Sequence, residues 1–318
     1  MGLYQRAEEI RALAKKLGFR PNAAARAMQR GQFNRIALVT IRNVGRNPMG
    51  WSILQSYLDY AVSALADRGY ALVIEPFDQE RDAQCTLHEP PRLFSEILVD
   101  GALALDSFGH VRPEVDTHLK AMRMPVVWLN RNPTPGVCGV YCDEPSGARQ
   151  LVNHLLELGH TRIGYWGGGG RHYSSVERMA AVRMCLANAG LSDEFVAGEV
   201  PHPASLLAGL AALLRQPERP TAIIAYNHIV YDAVMEAAAN LGLRVPGDLS
   251  VAYFASQWEL NADVDPTAVR LPEGEMAKLG VELLLKRVAR SSAAAVGTQR
   301  MLPGTLVIGS TTGPAPAG

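Results

Sequence analysis

The residues that could do chemistry fall into two groups. The first is a set of cations at the amino end. In residues 1–35, Arg6, Arg11, Lys15, Lys16, Arg20, Arg26, Arg30 and Arg35 stand against only Glu8 and Glu9, a net of +6 in a chain whose formal charge is zero. A basic arm on a body of opposite sign is the electrostatic footprint of contact with nucleic acid rather than with a membrane. The second group lies around the ends of apolar runs: Asp106 after GALAL, Trp128 and Arg131 around VVWL, and Tyr226 and Asn227 closing AIIAYN. Trp51 follows the loop Asn47-Pro48-Met49, and Trp258 comes after the run SVAYF. Aromatic rings stack on sugar faces and planar ligands, while Asp, Arg and Asn fix a ligand's orientation through hydrogen bonds. Each aromatic is more often simply part of a core, and Asn227 is as well placed to cap a following helix as to touch a ligand. Asp143 has the same two readings.

Other chemistries are disfavoured. No GxSxG elbow is present to present a nucleophile. Gly167 to Gly170 is followed by no Gly-Lys-Ser/Thr and lacks the GxGxxG spacing, so the run reads as a mobile loop at a cleft rather than a phosphate cradle. The eight histidines show no metal-ligand spacing. Cys85, Cys138, Cys142 and Cys185 form no CxxC, and no His set completes a zinc site with Cys138 and Cys142, so they read as reduced, mostly buried thiols. The expectation is a protein that is not an enzyme and that uses no metal and no cofactor. No apolar run approaches the length of a membrane span, and the amino end has no apolar signal region, which points to the cytoplasm.

The elements that must position these residues alternate. Residues 7–17 place Ile10, Leu13, Ala14 and Leu17 on one helical face, closed by Gly18. Pro21 and Asn22 open a second short helix rich in alanine, which Gly31 stops. Strands follow at 36–41, 71–75, 99–105, 125–129, 162–166, 222–226 and 249–254. Helices lie between them, at 52–67, 146–158, 174–188, about 204–215 and up to Leu241, with a less regular helical region reaching Leu98. Short β-branched strands separated by amphipathic helices predict right-handed βαβ units. A length of 318 residues, at roughly 150 per domain, suggests two lobes.

The stretch Leu17 to Gly31, LGF-x-PN-x-x-AR-x-M-x-x-G followed by a strand, resembles the junction of LacI/GalR-family bacterial transcription regulators. Further matches keep the family's order: V-x-x-D-x-x-x-G from Val140 to Gly147, LGH-x-x-I from Leu158 to Ile163, Glu177-Arg178 with Met179 to Arg183, and Asp248 to Val251 as D-[IL]-S-V. The resemblance spans some 290 residues. It implies two doubly wound parallel-sheet α/β lobes of periplasmic-binding-protein-like type I architecture, preceded by a short helical DNA-binding remnant and a hinge.

The resemblance also implies roles. Residues 1–35 would be the headpiece remnant and hinge, with Met28 as a minor-groove wedge and Asn22, Arg26 and Arg30 at the DNA. The family's base-reading helices would precede residue 7, where the sequence has no room for them. Residues 36–318 would bind effector and dimerise. The first lobe is expected over about 36–158 and 265–290, with TAVRL at 267–271 and the helix 273–289 as its return. The second is expected over about 159–264 and 291–312, closed by strands near 299–302 and 306–308. The Ala/Ser run 291–295 reads as a surface connection and the tail from Gly313 as disordered. Arg178 would reach an effector in the cleft, with Asn227, Trp51, Asp106, Trp128, Tyr226 and Trp258 as further candidates. Where the family often has Asp after the strand, this chain has Ala255, which disfavours a typical monosaccharide. The implied function is a homodimeric regulator whose small-molecule effector alters operator binding. The alternative is a stand-alone small-molecule binding protein.

Overall fold

The computed structural model describes residues 3–18, 31–42, 50–78, 99–106, 115, 117, 119, 124–167, 172–197, 203–256, 265–289 and 297–316. The amino-terminal helix is α1, Leu3–Lys16. Gly18 adopts φ +66°, the left-handed conformation that ends a helix without a Cβ penalty. Ile10, Leu13 and Leu17 are more than half exposed, so the expected apolar face is present and uncovered by any described residue. The hinge residues Asn22, Arg26, Met28 and Arg30 lie outside the described residues.

Two six-stranded sheets form the body. The first has the order β11-β5-β4-β3-β1-β2, built from β1 Arg35–Arg42, β2 Ala71–Asp78, β3 Gly101–Asp106, β4 Val126–Leu129, β5 Gly139–Asp143 and β11 Gln299–Pro303. All its pairings are parallel. Parallel strands covered on both faces must be apolar on both. In β1, Ile36 and Leu38 enter one core while Ala37, Val39 and Ile41 enter the other. Helix α2, Gly50–Ala66, and helix α7, Glu273–Ala289, cover the first of these faces through Leu54, Tyr57 and Ala61 and through Met276, Ala277 and Leu284. Gly280 makes the close approach possible, since a Cβ there would lie 2.7 Å from Leu129 Cδ2.

The second sheet has the order β12-β10-β9-β8-β6-β7. Its strands are β6 Ile163–Trp166, β7 Val196–Ala197, β8 Ala222–Ala225, β9 Ser250–Ala255, β10 Thr267–Arg270 and β12 Thr305–Val307, the last antiparallel. Helices α3 (Glu144–Glu157) and α4 (Tyr173–Asn188) pack on one face with Phe254. Helices α5 (Pro203–Leu214) and α6 (His228–Asn240) pack on the other with Tyr253.

The lobes exchange chain differently from expectation. The strand at 267–270 does not return to the first lobe. It pairs in parallel with β9, and its Ala268 and Val269 fill opposite faces of the second lobe. The strand at 299–303 joins the first sheet beside β5, and only 305–307 joins the second. Helix α3 belongs to the second lobe, because Ala148, Leu151, Val152 and Leu155 bury against Ile163 and Tyr165. The chain therefore passes between the lobes at 143–144, at 271–272 and at 304. A short apolar strand carries no mark of which sheet edge will pair with it; the crossovers decide that. The helix 273–289 does lie on the first lobe, as expected.

The tail from Gly313 is also not loose. Gly313 O lies 3.1 Å from His160 Nε2, and Ala315 N donates to Leu158 O at 2.8 Å. Thr311 Oγ1 donates to Val251 O and accepts from Thr267 N. Pro and Gly remove side-chain contacts, but here the backbone groups and two threonines supply the attachment. Among the described residues no helix is long and apolar enough to cross a membrane.

Candidate functional site

Parallel strands present all their carboxyl ends at one edge, and in wound sheets ligands bind beyond that edge. Here those ends carry Asp106, Asn130, Arg131 and Asp143 in the first lobe and Trp166, Tyr226 and Ser256 in the second. Charged groups of one lobe bear on groups of the other. The His172 ring, at the start of α4, feels Asp106 and the backbone of Asn130, while Tyr57 of α2 feels Arg178.

Arg178 is the centre of this region and is 4% exposed. Its Nε donates to Glu144 Oε2 at 2.6 Å and its Nη1 to Tyr226 O at 2.8 Å. The guanidinium lies 4.1 Å from the Phe254 ring centroid and 4.9 Å from that of Tyr226. Burial alone would lower its basicity, but the Glu144 charge and hydrogen bond more than offset this, so Arg178 is held firmly cationic. Glu144 is 2% exposed and opens α3.

A second chain of bonds runs beside it. Ser174 Oγ is 2.8 Å from Tyr226 Oη and 2.6 Å from His172 Nδ1. Ser174 N also donates to His172 Nδ1, which makes that nitrogen the acceptor and assigns the neutral ring's proton to Nε2. That proton faces the Asn130 backbone. Burial lowers the His172 pKa, against the opposite pull of Asp106 and Glu144. The Tyr173 hydroxyl and Trp166 Nε1 are buried without a partner among the described residues. Burial and then Glu144 push the Tyr173 hydroxyl well above the usual phenol range. Each orphaned polar atom costs about 1–3 kcal/mol unless something outside the protein meets it.

The expected site residues separate. Arg178 and Tyr226 come together, as stated. Asn227 caps α6, its Oδ1 accepting from Val230 N at 3.1 Å. Asp143 caps α3 by accepting from Ser146 N at 3.0 Å. Trp128 is 2% exposed and packs in the first lobe's core, with the Arg131 guanidinium 4.3 Å above its ring. Asp106 is buried at the end of β3, where its carbonyl accepts from Asn130 Nδ2. Trp51 sits in the first turns of α2, its side chain outside what is described. Trp258 and residues 168–171 lie outside the described residues. Ala255 is fully buried, and the next residue, Ser256, donates to Glu273 Oε1 at 2.8 Å. Cys138, Cys142 and Cys185 are free, buried thiols.

Sequence reasoning missed Glu144, His172, Tyr173 and Ser174. Ser174 had a signal, since it precedes Arg178 by four residues and shares its helix face. Glu144 had none, because its partner is 34 residues away.

The profile of the periplasmic binding protein-like domain matches residues 152–312, half of the chain. The chain belongs to that family, as a LacI/GalR-type regulator. The HTH-type transcriptional repressor PurR of Aliivibrio salmonicida (strain LFI1238) is 25% identical over 281 residues, covering 86% of this chain and 80% of the relative. The ribose operon repressor of Escherichia coli (strain K12) is 25% identical over 288 residues, covering 89% and 84%. Among solved structures, the lac repressor dimer bound to operator and the anti-inducer ONPF superposes with a TM-score of 0.79 at 19% identity, covering 98% of this chain and 92% of that one. The transcriptional regulator CelR–cellobiose complex gives 0.72 at 22% identity, covering 98% and 91%. The matched relatives are repressors and not enzymes. They favour a transcriptional regulator over a stand-alone binding protein.

Proposed function

We propose that this regulator binds a small-molecule effector between its lobes and that lobe closure alters operator binding by a homodimer in the cytoplasm. The observation that supports this reading is the placement of Arg178: buried at the strand ends of the second lobe, flanked by aromatic rings, and next to a histidine that faces the first lobe. A ligand bridging Arg178 or His172 to Asp106 and Arg131 would have different contacts in the open and closed arrangements, and only such a difference can shift a conformational equilibrium. The three chain crossings then serve as the hinge. The basic segment Asn22 to Arg30, with Met28 as wedge, is proposed as the DNA contact that lobe closure repositions.

Linkage supplies the test. If effector changes operator affinity by a factor, operator must change effector affinity by the same factor. The full chain is screened for ligands by thermal shift, and operator is selected from random palindromes and titrated by fluorescence anisotropy at several salt concentrations. The expected result is palindrome binding that weakens with salt and moves with the ligand, while Arg178→Ala abolishes the ligand's effect. A ligand that stabilises the protein but leaves operator affinity unchanged, or whose stabilisation survives Arg178→Ala, overturns the reading.

A further inference from the structure

The three crossings between the lobes converge on one side chain, Val269, which is fully buried just before the second crossing. Leu271, at that crossing, packs against the cores of both lobes. Gly304, the third crossing, lies so close that a Cβ there would stand 2.6 Å from Val269 Cγ1 and 3.1 Å from Arg270 O. Gly147, in the first turn of α3 after the first crossing, approaches Val269 Cγ1 as well, at 3.1 Å by the same measure. The two glycines let the segments meet, but neither has a side chain to hold them.

Gln150 does. It is three residues beyond Gly147 and shares its helix face. Its Nε2 donates to Gly304 O at 3.0 Å, and its Oε1 accepts from Leu306 N at 3.0 Å. β12 is the outermost strand of its sheet, and the carboxamide, with one donor side and one acceptor, takes the pairing that a further strand would make.

We propose that Gln150 is a positioning residue of the interlobe hinge: its amide fastens the third crossing to the helix that opens at the first, so the crossings bend as one unit. This rests on the reading of the crossings as the hinge of an effector-driven closure.

The test follows amide hydrogen exchange by mass spectrometry, as protection factors, in the full chain for wild type, Gln150→Met and Gln150→Glu. Methionine keeps the side-chain length and makes neither bond. An ionised glutamate keeps the acceptor for Leu306 N but turns an oxygen toward Gly304 O, and protonation restores the donor. In Gln150→Met, protection should fall about five- to ten-fold at 304–307 and also at 144–148 and 270–274. Residues 309–313 should keep theirs, since Thr267 and Thr311 hold that segment independently. Gln150→Glu should match Gln150→Met at about pH 7.5 and wild type at about pH 5.5, because a carboxylate set against a carbonyl oxygen takes up a proton more readily. A loss confined to 304–307 makes the bond a local strand cap and overturns the proposal. A loss spread evenly over both lobes, with no recovery of Gln150→Glu on acidification, also overturns it.

Operator affinity separates the proposal from the reading beneath it. Binding of the selected palindrome at least about three-fold weaker in Gln150→Met supports both. The expected exchange pattern with unchanged operator affinity keeps the hinge assignment and removes closure as the control of DNA binding. Weaker operator binding without that pattern overturns the hinge assignment alone.

Discussion

Replacing Arg178 with methionine leaves the Glu144 carboxylate buried beside aromatic rings with no counter-charge. Glu144 is 2% exposed and Arg178 4%, so solvent cannot take over the lost bond at 2.6 Å. Breaking one side of such a pair costs about 3–5 kcal/mol, whereas replacing both members by apolar groups of similar size is often nearly neutral. Arg178→Met should therefore lose about 3–5 kcal/mol, and Arg178→Met/Glu144→Leu should recover most of it. For a lobe of this size that corresponds to a fall in Tm of roughly 10 °C. The assay is urea unfolding of the two single variants and the double, analysed as a cycle, with a coupling above about 2 kcal/mol expected. A loss below about 1 kcal/mol, or additivity within about 0.5 kcal/mol, would show that the pair is hydrated and the reasoning wrong.

Three other outcomes are expected. Burial lowers the pKa of His154, His160 and His172, so the folded state prefers their neutral forms; stability should be complete above the usual histidine value of about 6.5 and be lost as the pH falls through it. Melting curves between pH 7.5 and 5.5 check this, and His160→Asn should flatten the profile. Tyr226→Phe removes the bond to Ser174 Oγ and should cost about 1 kcal/mol in urea unfolding while leaving the Arg178 contact to the Tyr226 carbonyl in place. Gly309→Ala would drive a Cβ into the Asp265 carbonyl, and since backbone cannot yield as a flexible side chain does, a loss of about 1–3 kcal/mol is expected by calorimetry.

Much of the site's outline was legible because its strands are short, apolar and bounded. Arg178 was indicated by the resemblance and Tyr226 by its place after a strand, and the fold brings the two into contact. Asn227 and Asp143 stood between two readings, and the bonds to Val230 N and Ser146 N give both the capping role. His172 passed unnoticed because an isolated histidine before a helix has no pattern. Its relation to Asp106 and Asn130 arises only when two lobes face each other.

The amino-acid sequence alone determined the element types, the alternation that makes wound sheets, the basic segment before the first strand, and the family. These follow from periodicity and local chemistry, which each segment carries within itself. Tertiary structure decided that 267–270 completes the second sheet and 299–303 the first, because edge pairing depends on where crossovers bring a strand and not on its composition. It also decided that Arg178 meets its own carboxylate. Residues 34 apart, on two helices of one lobe, become partners only through the packing of α3 against α4 over Phe254.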